Sequence, residues 1–243
     1  MVPVVNMGLA AGVGVDFMLA ELSSGVTAGD WVGLSLEYDR FGGGFDSAIL
    51  QQILQYRPAN VAFLEMKHVR KVLLDRGLSI LGGIVRHSIN SLASPPRPAD
   101  GVEVSARRGF NRWGDLTVHY GEPPRITAAQ ANSGKLLPDR RSYPSSEVLA
   151  LLEEFARRCN ARGVHFAFSF PPHSPGPLAE NAAAVRTIES ALKRIPYLVI
   201  LDSPLEQTYA PELFYDTGYH LGEAGARQRT EKLAASLRRS FQP

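Results

Sequence analysis

Val164-His165-Phe166-Ala167-Phe168-Ser169-Phe170, stopped by Pro171-Pro172, is an apolar, aromatic-rich run too short for a helix of ordinary length. A run of this kind reads as a strand buried on both faces, as the strands of parallel sheets are. On its amino-terminal side Ser145-Ser146-Glu147 offers serine caps for a helix that carries Val148, Leu149, Leu151, Leu152 and Phe155 on one face and ends near Gly163. On its carboxyl side come a helix over 178–194, a strand at Tyr197-Leu198-Val199-Ile200-Leu201 and an amphipathic helix over 223–240. Arg227, Arg229, Lys232, Arg238 and Arg239 form the polar positions of that last helix.

The same alternation runs back to the amino terminus. Helical spacing from Asp16 to Leu22 precedes the turn Gly29-Asp30 and a buried strand Trp31-Val32-Gly33-Leu34-Ser35-Leu36, and helices are predicted over 46–55 and 59–74. Val2-Pro3-Val4-Val5-Asn6 reads as the interior of a further strand with no lead-in, followed by the glycine loop Gly8–Gly14. Strand and helix in alternation predict an α/β fold, a three-layer α/β/α sandwich with a mainly parallel sheet, incomplete at its amino terminus, whose ligands bind beyond the carboxyl ends of the strands. Residues 1–243 read as one domain with a long irregular insertion over 88–144, where Pro95-Pro96-Arg97-Pro98 and Pro123-Pro124 replace periodic apolar positions. Loops of that length serve as lids, partner surfaces or disordered segments. Trp113 and Tyr120 are its candidate anchors.

Composition narrows the function. The chain has 243 residues, 44% of them hydrophobic, and a formal net charge of +2 without a basic run, which argues against a phosphate-backbone partner and so against nucleic acid. Its one cysteine, Cys159, permits no internal disulfide and no cysteine-based zinc site. No segment reads as membrane-spanning, and no signal segment is recognised. His68, His87 and His119 lack metal-ligand spacing, so neither a metal nor another cofactor is expected.

The chemistry concentrates in Tyr215-Asp216-Thr217-Gly218-Tyr219-His220-Leu221-Gly222, between the last strand and the last helix. A carboxylate that accepts a hydrogen bond from one imidazole nitrogen leaves the other free to take a proton from a hydroxyl. The alternative is a turn at Asp216 and a His220 that caps or packs beside the final helix. At strand ends, Phe170-Pro171-Pro172-His173 suits the wall of a substrate cleft, and Gly12 stands where a βα turn requires glycine for its dihedrals.

The stretch from Asp216 to Leu221, followed by Gly225 and Arg229-Thr230, resembles the late acid-histidine block of SGNH, or GDSL-like, esterases and acyltransferases, in their cell-envelope branch. Asn6-Met7-Gly8-Leu9-Ala10-Ala11-Gly12 resembles that superfamily's glycine block, and the likeness extends over roughly residues 2–85 and 145–240. It implies an ester hydrolase or O-acyltransferase acting on an acylated carbohydrate of the periplasm or cell envelope, with His220 as base, Asp216 as its orienter and Gly12 as an oxyanion donor. Three departures accompany it. Asp216 and His220 are separated by one residue more than the usual Asp-x-x-His. Glu37-Tyr38 stands where an oxyanion-binding asparagine is usual, so that Tyr38 either donates in its place or only flanks the loop. The nucleophilic serine belongs to a turn upstream of the glycine block, and Ser23-Ser24 is a poor substitute. A non-catalytic glycan-binding or assembly protein with the same fold is the competing expectation, and under either one the 88–144 insertion is a candidate partner surface.

Overall fold

In the computed structural model, residues 4–8, 11–93, 109–133, 136 and 143–240 are described. Three strands form a parallel sheet in the order β1-β2-β3: β1 is Trp31–Leu34, β2 is His165–Phe168 and β3 is Leu198–Ile200. Val32 pairs with Phe166 and Leu34 with Phe168, while Phe166 and Phe168 pair on their other side with Leu198 and Ile200. The central position of β2 explains its composition, since Phe166, Ala167 and Phe168 are all buried and need apolar side chains on both faces. The chain is thus an α/β protein, with the alternation its sequence predicts.

The helices are α1 (Val15–Gly25), α2 (Ser47–Tyr56), α3 (Met66–Ala93), α4 (Ala128–Ala131), α5 (Ser146–Ala161), α6 (Pro175–Leu192) and α7 (Glu223–Ser240). Leu152, Phe155, Ala156 and Cys159 of α5 and Val185, Ile188 and Leu192 of α6 pack with β1, β2 and the inner face of α1 into the main core. A second cluster joins Val13 and Phe17 to Leu50 and Leu54 of α2 and Val72 and Ile80 of α3. No helix among the described residues is long and apolar enough to cross a membrane.

Two expectations fail. The described part of the amino-terminal run, Val4–Gly8, is not a strand of the sheet: Val4 and Val5 are exposed, and the Asn6 N–H donates to the Trp113 carbonyl at 2.7 Å. Its apolar composition finds no sheet neighbour, so the segment lies along a turn of the insertion; Val2 and Pro3 fall outside the described residues. The insertion also begins later than 88, because α3 continues through Gly77, Gly82 and Gly83 to Ala93. Packing of Val72 and Ile80 against α2 overrides the low helix propensity of those glycines.

Residues 94–108, 134–135 and 137–142 of the insertion lie outside the described residues. An antiparallel bridge joins Phe110 to Leu116, and Thr127 caps α4 reciprocally with Gln130. Its attachment runs through Ile126 and Ala131, which pack on Tyr209, Phe214 and Leu221, more than through the half-exposed Trp113 and Tyr120.

Candidate active site

The loop that carries Asp216 and His220 is closed at its neck by backbone pairing. The Tyr215 N–H donates to the His220 carbonyl at 2.8 Å, the Gly222 N–H to the Leu213 carbonyl at 2.7 Å, and Phe214 bridges Leu221. Inside the loop the Thr217 hydroxyl oxygen accepts the N–H groups of both Tyr219 and His220, at 3.2 and 3.1 Å. That turn accommodates the additional residue between acid and histidine. His220 Nδ1 stands 2.8 Å from Asp216 Oδ1.

A carboxylate only accepts, so Nδ1 donates, and in the neutral imidazole the lone pair is then on Nε2. No hydrogen bond among the described residues engages Nε2, and the His220 side chain is 58% exposed. The arrangement supplies an oriented base that faces solvent. Tyr219, the next residue inward, anchors the loop to the carboxyl end of β1, because its hydroxyl accepts the Tyr38 N–H at 3.3 Å and donates to the Leu136 carbonyl at 3.2 Å. This contact places Glu37 near His220. Burial, with Asp39 adding to it, holds the Glu37 carboxyl above its ordinary range, while His220 and Arg40 pull it down.

Tyr38 and His173, expected at the substrate surface, are interior instead. Both are fully buried, with ring centroids 5.9 Å apart, and Phe170, Pro171 and Pro172 are buried with them. The reason is the layering, since the 3-10 turn Tyr38–Gly42 folds the tyrosine back onto Phe170. These residues support the site from below. Gly12 packs against the start of α2, where its carbonyl accepts the Asp46 N–H at 2.7 Å and a Cβ on it would meet Ile49 Cδ1 at 2.4 Å. Close helix packing therefore accounts for that glycine.

Reading by local spacing misses a polar network at the strand ends. Asp202, just past β3, accepts the Ser169 hydroxyl at 2.6 Å, the Phe170 N–H at 2.8 Å and the Gln207 amide at 2.8 Å. Arg229 of α7 donates to Ser35 Oγ at 2.9 Å and to the Phe170 carbonyl at 3.3 Å, tying the helix after the His220 loop to β1 and β2. The strand-end rule, applied to Ser35, Ser169 and Asp202 together, is the signal that could have found it. A second acid-histidine pair, Asp16 Oδ2 to His68 Nδ1 at 2.6 Å, joins the first turns of α1 and α3 and is partly buried. Its 52-residue separation gives no local signal.

The remaining candidates are accounted for by packing. The Ser23 and Ser24 hydroxyls donate to carbonyls of their own helix, at Leu19 and Glu21. His165 stacks on Trp31, His119 lies against Tyr215, and Cys159 is buried, which pushes its thiol up. The His87 side chain lies outside the described ones. Among the described residues no three His, Cys, Asp or Glu side chains form a metal-holding group. A cavity of about 430 Å³ opens at the neck of the loop, between Glu122 and Pro124 of the insertion and Phe214, Tyr215, Gly222 and Glu223.

Burial pushes the Asp202 and Glu37 carboxyls up and the His173 imidazole down. The folded carboxyls hold their protons more tightly than the unfolded chain does. Their contribution to stability is whole below about pH 4 and is lost as pH rises through the raised values. For His173 the sign is reversed: the contribution is whole above about pH 6.5 and is lost as pH falls through the lowered value. Urea midpoints of the wild type and His173→Phe are expected to converge or cross below that pH, the wild type falling more steeply. Parallel pH curves would contradict this reading.

No protein-family model, curated protein or solved structure matches the chain significantly.

Proposed function

We propose that the chain carries the acid-base half of an ester-hydrolysing or O-acyl-transferring site for acylated carbohydrate, on a three-layer α/β/α arrangement of the SGNH type. The observation that carries this reading is the 2.8 Å pair of Asp216 and His220, with Nε2 open, in the loop between the last strand and the last helix. His220 Nε2 takes the proton of a hydroxyl as its oxygen attacks the ester carbonyl, and returns it to the alcohol oxygen as the C–O bond breaks. Asp216 keeps its hold on the Nδ1 proton throughout and stabilises the imidazolium that forms. The Ser23 and Ser24 hydroxyls, each bonded to a carbonyl of its own helix, do not supply the attacking oxygen. The chemistry needs no cofactor. The open depression at the loop neck, which neither Asp216 nor His220 lines, adjoins the loop, and the insertion forms one of its walls.

A second reading rests on Glu37. A carboxylate beside His220 opposes an oxyanion but suits hydrogen bonds from sugar hydroxyls, which favours a glycan-binding or envelope-assembly protein. The two are separated by assaying the protein and its His220→Ala variant on an aryl acetate and on acetylated oligosaccharides. Release of acetate by the wild type, lost in the variant, is the expected result. Binding without turnover would establish the second reading and overturn the first.

A further inference from the structure

We propose that α3 is the interface of a homodimer, packing antiparallel against α3 of a second copy about a two-fold axis between Leu78 and Leu81. One face of α3 is occupied, since Val72 and Ile80 are buried against α2. The opposite face is apolar and open. Leu74, Leu78, Leu81, Val85 and Ile89 follow one another at spacings of four, three, four and four, the rhythm of a helix that packs along another helix. Leu74 is 86% exposed and Leu78 89%, and Leu73, Leu81, Val85 and Ile89 are each more than half exposed. Contiguous apolar surface of this kind marks an interaction face. The stripe runs for about 22 Å, and with its flanks it offers on the order of the 800 Å² per partner that stable interfaces bury.

Charge decides the occupant and its direction. Lys67, Arg70 and Lys71 crowd the first turns of α3, so a parallel partner would stack like charges. An antiparallel partner instead sets these cations beside the carboxyl-terminal turns of the other helix, where unpaired carbonyls carry partial negative charge. The same axis places Leu74 opposite the partner's Val85. Asp75 and Arg86 are eleven residues apart, close to three full turns, and therefore share a flank. Across the two-fold, Asp75 falls within about 3 Å, along the helix axis, of the partner's Arg86. Both are exposed in the single chain, where Asp75 already pairs with Lys71 at 2.8 Å. Because the interface is isologous, the pair occurs twice.

Sedimentation at micromolar concentration tests the proposal. The wild type is expected at twice the chain mass with a melting midpoint that rises with protein concentration, and Leu78→Glu at the chain mass with the same helical circular dichroism and a midpoint independent of concentration, since the substituted side chain faces solvent in the single chain. Asp75→Arg and Arg86→Asp alone are each expected to weaken the dimer about tenfold, and together to restore it. A monomeric wild type, or a dimer indifferent to all these substitutions, would overturn the proposal. So would a monomer that co-sediments with anionic phospholipid vesicles and loses that binding in Leu78→Glu, which would assign the face to a membrane surface.

Discussion

Asp216→Asn is expected to lower kcat for ester cleavage by about a thousandfold, while KM and the urea midpoint stay close to their wild-type values. A carboxylate can only accept from Nδ1–H, which fixes the imidazole tautomer with Nε2 as the base. An asparagine can turn its amide toward Nδ1 and donate, which favours the Nε2–H tautomer and removes the lone pair from the solvent-facing side. It also withdraws the negative charge that stabilises the imidazolium. The stability side of the prediction follows from exposure. Asp216 is 32% and His220 58% exposed in their side chains, and an ion pair in that setting contributes about 0–1 kcal/mol at most. Loss of activity without loss of stability separates a catalytic pair from a structural one. Equal fractional losses of activity and of folded protein would reduce the pair to a loop fastener.

Asp202→Ala is expected to destabilise the protein by about 2–4 kcal/mol, read as a lower urea midpoint at constant slope. Ser169, Phe170 and Gln207 are buried and all donate to this one carboxylate, so its removal takes the acceptor from the Phe170 N–H and the Gln207 amide and leaves the Ser169 hydroxyl only the Phe170 carbonyl at 3.5 Å. The loss extends along the chain, because the Gln207 side chain also accepts the Tyr209 hydroxyl at 2.9 Å. One opposing effect limits the magnitude. Burial already raises the Asp202 carboxyl, so the ionised group destabilises part of what it holds, and the alanine variant is relieved of that penalty. Asp202→Asn keeps an acceptor and is expected to lose less, with a shallower decline in stability as pH rises above the ordinary carboxylate range. A change below about 1 kcal/mol in the alanine variant would show that water replaces the carboxylate at the strand ends.

What was legible in the sequence is what short-range physics determines. β1, β2 and β3 and the helices α1, α5, α6 and α7 lie within a few residues of their expected positions, because buried parallel strands need continuous apolar runs and covering helices need one apolar stripe. The Asp216–His220 pair was legible for the same reason, both residues belonging to one loop. Val4-Val5 has strand composition but no neighbour to pair with, and no local pattern reveals that. The continuation of α3 past Gly77 depends on packing with α2, and the burial of Tyr38 and His173 depends on how the turn after β1 folds over β2. The Asp202 network draws on segments that follow two different strands, and Asp16–His68 joins two helices distant in sequence. Those features arise only after the layers assemble.

Whether Asp216 holds His220 as an oriented base with a free Nε2 is read without a substrate by ¹⁵N NMR of the labelled imidazoles. With the imidazole neutral, the wild type is expected to show a protonated Nδ1 and an unprotonated Nε2 for His220, and Asp216→Asn is expected to shift the population toward Nε2–H. A wild-type His220 already in the Nε2–H form, or a spectrum unchanged by the substitution, would contradict the account.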